Sequence, residues 1–276
     1  MRFYKYHGAG NDFILINSLL DQVPQDKKAE LARRLCHRRF GVGGDGLIFL
    51  ESSTTADIQM RIFNPDGSEA EMCGNGIRCL AKYAYDKSIV AKERMVIETL
   101  AGPLEVTVDN GKEVGADLGR PEFDRAKIPA SGNGTFLNEE VEGILVSAVN
   151  LGVPHVVAFA EDEDIDNIDV SGIGRRIRGS ELFPKGTNVN FLQAAGENRF
   201  KIRTYERGVE AETLACGTGI GASAAVAVAL GKAKSDSPIA IDAKGGKLFV
   251  EVVEKDGVIE KVLLRGPVEF VFEGEM

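Results

Sequence analysis

The chain has 276 residues, 43% of them hydrophobic, which is enough to fill the core of one large domain or two ordinary ones. Its formal net charge of −9, without a basic run, argues against a nucleic-acid partner and favours a small polar substrate. No membrane-spanning segment or signal peptide is expected, and four cysteines are too few for a disulfide scaffold, so we expect a reducing, cytoplasmic location.

The first part of the chain alternates short apolar runs with glycine-rich turns. Phe13 to Ile16 predicts a buried strand, and the spacing of apolar residues predicts a helix from Gln25 to His37. A glycine-rich turn leads to a predicted strand at Leu47 to Leu50. Asp57 to Phe63 then alternates apolar and polar residues, which is typical of a half-buried strand.

Two cysteines stand directly before a glycine turn and a predicted helix. Met72 to Cys79 reads MCGNGIRC, and Ala215 to Gly219 reads ACGTG. Each motif opens onto a predicted helix. The second helix is small and apolar on all sides, as in a fully enclosed helix.

Strand-like alternation continues around residues 104–108 and 114–118, without a regular strand–helix–strand rhythm. The predicted fold class is therefore α+β, with mostly antiparallel pairing. At the carboxy terminus, Val268 to Phe272 alternates apolar and acidic residues and predicts a last strand, which can return to either half of the chain.

The second half of the sequence repeats the first. The segment from Arg61 to CGNG matches the segment from Arg203 to CGTG; Arg203 lies 142 residues after Arg61, and Cys216 lies 143 residues after Cys73. The repeat predicts two homologous domains that face each other across a cleft. We assign residues 1–118 with 264–276 to the half carrying Cys73, and residues 119–263 to the half carrying Cys216.

A cysteine at a helix start has a specific chemistry. The unpaired backbone N–H groups of the first helical turn bind a carboxylate, and the same field lowers the pKa of a nearby thiol. Glycines at 74, 76, 217 and 219 let the backbone approach a ligand. Two such motifs would hold one carboxylate with a sulfur on each side of the adjacent carbon, which is the arrangement that racemisation requires.

Five motifs in this order, across nearly the whole chain, carry a family resemblance: HGAGNDF, NPDGSEAEMCGNGIR, GVPH, FPKGTNVNF and YERGVEAETLACGTG. Together they closely resemble the diaminopimelate epimerase family. The resemblance implies a two-base mechanism without a cofactor or metal, interconverting LL- and meso-diaminopimelate in lysine and peptidoglycan precursor synthesis. It also implies a homodimer and two pseudosymmetric domains, each with a sheet wrapped around a central helix. The implied central helices are Gly76 to Lys87 and Gly219 to Gly231.

Matched position by position, the resemblance implies that Cys73 and Cys216 are the acid–base pair and that His155 and Glu206 lie beside the reacting centre. The implied substrate-binding positions are Asn11, Asn64, Gly74, Asn75, Asn188, Glu206, Arg207, Gly217 and Thr218. The chain departs from the family twice: it has Gly46 where many members have Gln, and Val153 where many have Asn.

Two other functions stay open at this point. The departures at Gly46 and Val153 leave room for a racemase of another amino acid, such as histidine or proline, on the same scaffold. The other hypothesis is a thiol redox or metal-binding protein, although the cysteine spacings fit neither a C-x-x-C motif nor a structural zinc site. Cys36 and Cys79 lie in predicted helices without the glycine neighbours that follow Cys73 and Cys216, and they are predicted to be buried packing residues.

Overall fold

The computed structural model describes residues 1–161 and 163–276. The chain divides into two compact units, Met1–Asp117 with Gly266–Met276, and Leu118–Arg265. Strands and helices are mixed in both, and most strand pairs are antiparallel, which confirms the predicted α+β class. None of the helices within the described residues combines the length and apolar character needed to cross a membrane.

The first unit is one sheet with two helices. Its strands are β1 (Arg2–Gly8), β2 (Asn11–Asn17), β3 (Gly46–Glu51), β4 (Ile58–Phe63), β5 (Glu69–Ala70), β6 (Arg94–Thr99), β7 (Gly102–Asp109) and β8 (Glu113–Asp117), and its helices are α1 (Gln25–Cys36) and α2 (Gly74–Asp86). The β2–β3 and β4–β6 pairs are parallel. Helix α2 contacts β1 to β4 and β6 to β8, so the sheet wraps around it.

The second unit has the same order of elements after a short first strand. Its strands are β9 (Glu139–Val141), β10 (Ile144–Asn150), β11 (Pro154–Phe159), β12 (Asn188–Gly196), β13 (Arg199–Glu206), β14 (Ala211–Thr213), β15 (Ile239–Ala243), β16 (Gly246–Lys255) and β17 (Val258–Pro267), and its helices are α3 (Val170–Arg178) and α4 (Gly217–Ala229). Here β11–β12 and β13–β15 are the parallel pairs. Helix α4 contacts β10, β11, β12 and β16.

Strand register defines which positions of the two units are equivalent. Phe13 pairs with Gly46 in the parallel pair β2–β3, and His155 pairs with Asn188 in β11–β12. Phe13 is therefore equivalent to His155, and Gly46 to Asn188, at the 142-residue offset seen in the sequence. The final strand, β18 (Glu269–Glu275), pairs antiparallel with β1 and so belongs to the first unit.

The enclosed character of α4 follows from its small side chains. Residues 217–227 are all buried, and only the last two residues reach the surface. A Cβ added at Gly221 would lie 2.6 Å from Leu118 Cδ1 and 3.0 Å from Leu151 Cδ2, so larger residues could not be accommodated. The prediction of an enclosed helix is confirmed.

Both central helices begin two residues earlier than predicted. Cys73 and Cys216 have extended backbone angles and are the N-cap residues, so Gly74 and Gly217 are the first helical positions. Glycine destabilises a helix interior because it loses the most backbone entropy on folding, and it is better tolerated at a helix start. The cysteines are thus fixed to the helix starts by the helices themselves.

Candidate active site

Cys73 caps helix α2 with its own sulfur. Its Sγ accepts a hydrogen bond from the Gly76 N–H at 3.4 Å, and its carbonyl accepts from Ile77 N at 2.9 Å. The sulfur therefore lies at the positive end of a helix of 13 residues, where a thiolate is stabilised. A Cβ at Gly76 would lie 3.3 Å from Cys73 Cβ, so glycine at this position lets the Cys73 side chain reach the Gly76 N–H without crowding.

Asn11 and Asn75 form the polar surroundings of Cys73. Asn11 Oδ1 accepts from Asn75 Nδ2 at 3.2 Å and lies 3.9 Å from Cys73 Sγ. Asn75 in turn accepts a hydrogen bond at 2.8 Å from the guanidinium of Arg78, which is fully buried. Arg78 thereby fixes the orientation of the Asn75 amide and, through it, the side of Asn11 that faces the sulfur.

Asn11 is held from its other side by a cluster of charges. Its Nδ2 donates to Asp45 Oδ2 at 2.8 Å, and Arg38 bridges Asp45 to Asp12, with N–O distances of 2.6 and 2.7 Å. Lys5 completes the cluster 2.6 Å from Asp12. Burial alone would raise the pKa of Asp12, but hydrogen bonds from Arg38 and Lys5 lower it to about 2.

Asn64 lies in a separate hydrogen-bonded turn. Its side chain donates to Ser68 Oγ at 3.0 Å, and its backbone N–H donates to the Ser68 carbonyl at 2.8 Å. The structure therefore brings together Cys73, Gly74, Asn75 and Asn11, whereas Asn64 is exposed and bonded within its own turn.

In the second unit, Cys216 is the N-cap residue of α4, and one hydroxyl links its sulfur to a neutral histidine. Cys216 Sγ lies 3.5 Å from Thr218 Oγ1, which is 3.0 Å from His155 Nε2. His155 is fully buried, and burial, followed by the positive charge of Arg207, lowers its pKa to about 3. His155 is uncharged at neutral pH, so it does not supply a positive charge to the sulfur.

Asn188 and Arg207 form a second group of contacts. Asn188 Oδ1 accepts from the Arg207 backbone N–H at 2.9 Å, and Asn188 Nδ2 donates to the Pro154 carbonyl at 3.2 Å. The Arg207 guanidinium donates to the carbonyls of Lys185 and Gly186 at 3.1 and 3.3 Å. Neighbouring Glu206, the last residue of β13, is partly exposed.

Gly46 and Val153, the two positions at which the resemblance leads one to expect another residue, each have an asparagine at the equivalent position of the other unit. Gly46 is equivalent to Asn188, and Val153 to Asn11, so each asparagine occurs in only one unit. A Cβ at Gly46 would lie 3.2 Å from both Phe13 Cδ1 and the Phe63 carbonyl oxygen. The Phe13 ring therefore fills the space that a longer side chain at position 46 would need.

Several polar residues beside the site were missed by sequence reasoning, among them Asn190, Thr204, Arg78 and Asp45. Asn190 donates to His155 Nδ1 at 3.3 Å and accepts from Thr204 Oγ1 at 3.0 Å. One signal was present in the sequence: Asn188 and Asn190 alternate within an apolar strand and so point to the same face.

The other two cysteines are buried, as predicted. Burial raises the pKa of Cys36 to about 11 and that of Cys79 to about 12. Both remain protonated thiols at neutral pH, so neither competes with Cys73 as a base.

Comparison with known proteins places these features in a family. The family model for diaminopimelate epimerase matches residues 3–123 and 147–271. A diaminopimelate epimerase of Methanothrix thermoacetophila is 50% identical over 278 residues, which cover 99% of this chain and 95% of that protein. A diaminopimelate epimerase of Methanocella arvoryzae is 47% identical over 280 residues, covering 100% of this chain and 96% of that protein.

Solved structures share the fold at low sequence identity. A phenazine biosynthesis protein of the PhzF family from Bacillus anthracis is 18% identical with a TM-score of 0.75, covering 100% of this chain and 98% of that one. A probable proline racemase from Agrobacterium radiobacter, with bound carbonate, is 17% identical with a TM-score of 0.71, covering 100% and 92%. These likenesses support the fold.

Proposed function

This chain belongs to the diaminopimelate epimerase family, and on that premise we propose that it is an isomerase that interconverts LL- and meso-diaminopimelate. The reaction would supply lysine and peptidoglycan precursor synthesis in the cytoplasm. The observation that carries the proposal is the equivalent placement of two cysteines, each of which is the N-cap residue of a helix of 13 residues in one of the two repeated units.

The proposed chemistry uses both sulfurs and no cofactor or metal. The thiolate of one cysteine takes the α-proton and becomes a thiol, while the electron pair of the broken C–H bond passes to the α-carbon and its carboxylate. Backbone N–H groups at the starts of α2 and α4 stabilise that charge. The thiol of the other cysteine then donates its proton to the opposite face and becomes a thiolate, so the two roles are exchanged after each turnover.

The remaining residues would position the substrate. Asn11 and Asn75 lie beside Cys73 and offer amide groups to the amino acid that reacts, together with the first-turn amides of Gly74, Gly217 and Thr218. We assign Arg207 to the distal carboxylate, because a cation there distinguishes a second anionic end from a ring or an imidazole. Asn64, Asn188 and Glu206 complete the proposed contacts, and His155 acts behind Thr218.

Proton exchange tests the reaction and its substrate together. In deuterated water, the enzyme should introduce deuterium at the α-carbon of LL- and meso-diaminopimelate and leave histidine and proline unlabelled. Exchange with another amino acid but with neither diaminopimelate isomer would support the alternative racemase. The family membership favours the first outcome over that racemase and over a thiol redox or metal-binding protein.

Replacement of the cysteines tests the two-base mechanism. Cys73→Ala and Cys216→Ala should each reduce epimerisation by at least about 100-fold, because each variant lacks one of two required proton-transfer groups. Cys79→Ala, which alters a buried thiol outside the proposed chemistry, is the matched control for loss of a cysteine. Substantial epimerisation by either single variant would contradict the two-base assignment.

We also propose that the protein is a homodimer. The family resemblance supports this, and β18 presents three consecutive half-exposed apolar residues, Phe270, Val271 and Phe272, next to β1. Light scattering should give twice the mass of the 29.7 kDa chain, and Val271→Glu should shift it to the monomer. A monomeric native protein would refute the proposal.

A further inference from the structure

A buried polar network in the second unit has no polar counterpart in the first. His155, Asn190 and Thr204 are equivalent, through strand register, to Phe13, Ile48 and Ile62. All six side chains are buried. The same three positions are therefore apolar in the first unit and polar in the second. Burying polar side chains costs stability unless they form hydrogen bonds. This contrast indicates that the polar trio serves the site rather than the fold.

Hydrogen-bond chemistry fixes the orientation of the Asn190 amide. Its Nδ2 lies 2.9 Å from the Val156 carbonyl oxygen, which only accepts. Its Oδ1 accepts from Thr204 Oγ1 at 3.0 Å. The amide nitrogen therefore faces both Val156 and His155 Nδ1, and the opposite flip would set two acceptors against each other.

That orientation determines the tautomer of His155. Because Asn190 Nδ2 donates to Nδ1 at 3.3 Å, Nδ1 is the unprotonated nitrogen, and the ring proton of the neutral imidazole resides on Nε2. Nε2–H then donates to Thr218 Oγ1 at 3.0 Å. When Cys216 is a thiolate its sulfur can only accept, so the Thr218 hydroxyl, which accepts from Nε2–H, donates its own proton to Cys216 Sγ, 3.5 Å away.

The first turn of helix α4 leaves room for this network because residue 219 has no side chain. A Cβ at Gly219 would overlap Asn190 Oδ1, so only glycine allows the amide to pack under the first turn. At the equivalent Gly76, a Cβ would instead meet Ile48 Cδ1 and Ile62 Cδ1 at 3.1 Å. Arg207 is the charged group that acts on His155, and its positive charge, like burial, favours the neutral ring.

We propose that Asn190 and Thr204 are positioning residues that lock His155 as a neutral Nε2–H donor, so that Thr218 donates a hydrogen bond to the Cys216 thiolate. His155 accordingly orients the Thr218 hydroxyl through its Nε2–H and takes no proton during the reaction. The proposal deepens the proposed epimerase function and rests on it for its catalytic meaning. The proposal also gives the two sulfurs different kinds of donor: Cys73 Sγ accepts from the Gly76 N–H, and Cys216 Sγ accepts from the Thr218 hydroxyl.

Nitrogen NMR of the uniformly ¹⁵N-labelled full chain tests the tautomer directly. The chain has three histidines, so long-range ¹H–¹⁵N spectra can resolve each ring, with His155→Gln for assignment. We expect His155 to show the Nε2–H tautomer and no titration between pH 5 and 9. An Nδ1–H tautomer, or a titration near the ordinary pKa of about 6.5, measured in the native sequence, would overturn the proposal.

Two variants test the positioning role. Asn190→Asp places a carboxylate against Nδ1 and should move the ring proton there, and Thr204→Val removes the donor to Asn190 Oδ1. Both should lower kcat about tenfold with little change in KM, and both should slow iodoacetamide alkylation of Cys216 relative to Cys73 in the same molecule. Ile62→Val, at the buried position equivalent to Thr204, is the control for a conservative substitution in this strand of the core.

The readouts separate this proposal from the proposed function. Tautomer and alkylation are measured without turnover, so they remain informative if the protein does not epimerise diaminopimelate. Retention of the Nε2–H tautomer in Asn190→Asp, or Cys216 alkylation and kcat within twofold of Ile62→Val in both variants, would overturn the positioning role.

Discussion

The replacement Gly219→Ala should destabilise the protein because the new methyl group would displace a buried amide. A Cβ at position 219 overlaps Asn190 Oδ1, and Asn190 is fully buried, so it has no solvent into which to move. Its displacement would weaken hydrogen bonds with Val156, His155 and Thr204. The Thr204 hydroxyl would then be a buried donor without its acceptor.

The expected magnitude follows from two opposing terms. Three hydrogen bonds at a net value of about 0.5–1.5 kcal/mol each amount to about 1.5–4.5 kcal/mol. Replacing glycine by alanine within a helix stabilises the folded state by up to about 1 kcal/mol, because alanine loses less backbone entropy on folding. With the full ~1 kcal/mol regained from alanine, the net loss in the free energy of unfolding should be about 0.5–3.5 kcal/mol.

Gly76→Ala is the matched control at the equivalent position of α2. There the Cβ meets the ends of two isoleucine side chains at 3.1 Å, which rotate at small cost, so its stability should stay within about 1 kcal/mol of the wild type. Urea unfolding followed by circular dichroism, with hydrogen exchange of the α4 amides, compares both variants. Equal stability and equal α4 protection in the two variants would refute the reasoning.

Three further predictions concern the first unit. Arg78→Met removes the buried donor that orients Asn75 and should lower kcat/KM about tenfold or more, with partial recovery in Arg78→Lys; unchanged kinetics would contradict this. The lowered pKa of Asp12 means that its stabilisation, about 2 kcal/mol, is present above pH 4 and lost as pH falls towards 2, so the stability gap between wild type and Asp12→Asn should close over that range. Gly46→Ala should cost about 1 kcal/mol by crowding the Phe13 ring, and a raised Tm would disprove this.

The local sequence pattern predicted that the two central helices exist but not where they begin. Glycines beside a cysteine and a following apolar run located both helices, because helix starts and periodicity are properties of neighbouring residues. The starts were misplaced by two residues because the capping role of Cys73 depends on its backbone angles and on the Gly76 N–H, which sequence does not display.

Sequence alone determined the α+β class, the repeat and the two cysteine motifs, since each is written in short-range pattern or in self-similarity of the chain. Only the tertiary structure decided what surrounds each sulfur. His155 and Thr218 are 63 residues apart and meet because a strand and the start of a helix pack together. Asn190 and Thr204 face each other through the register of β12 and β13. Strand register is set by the sum of many contacts across a sheet, so residues distant in the chain become neighbours for reasons that no single stretch contains.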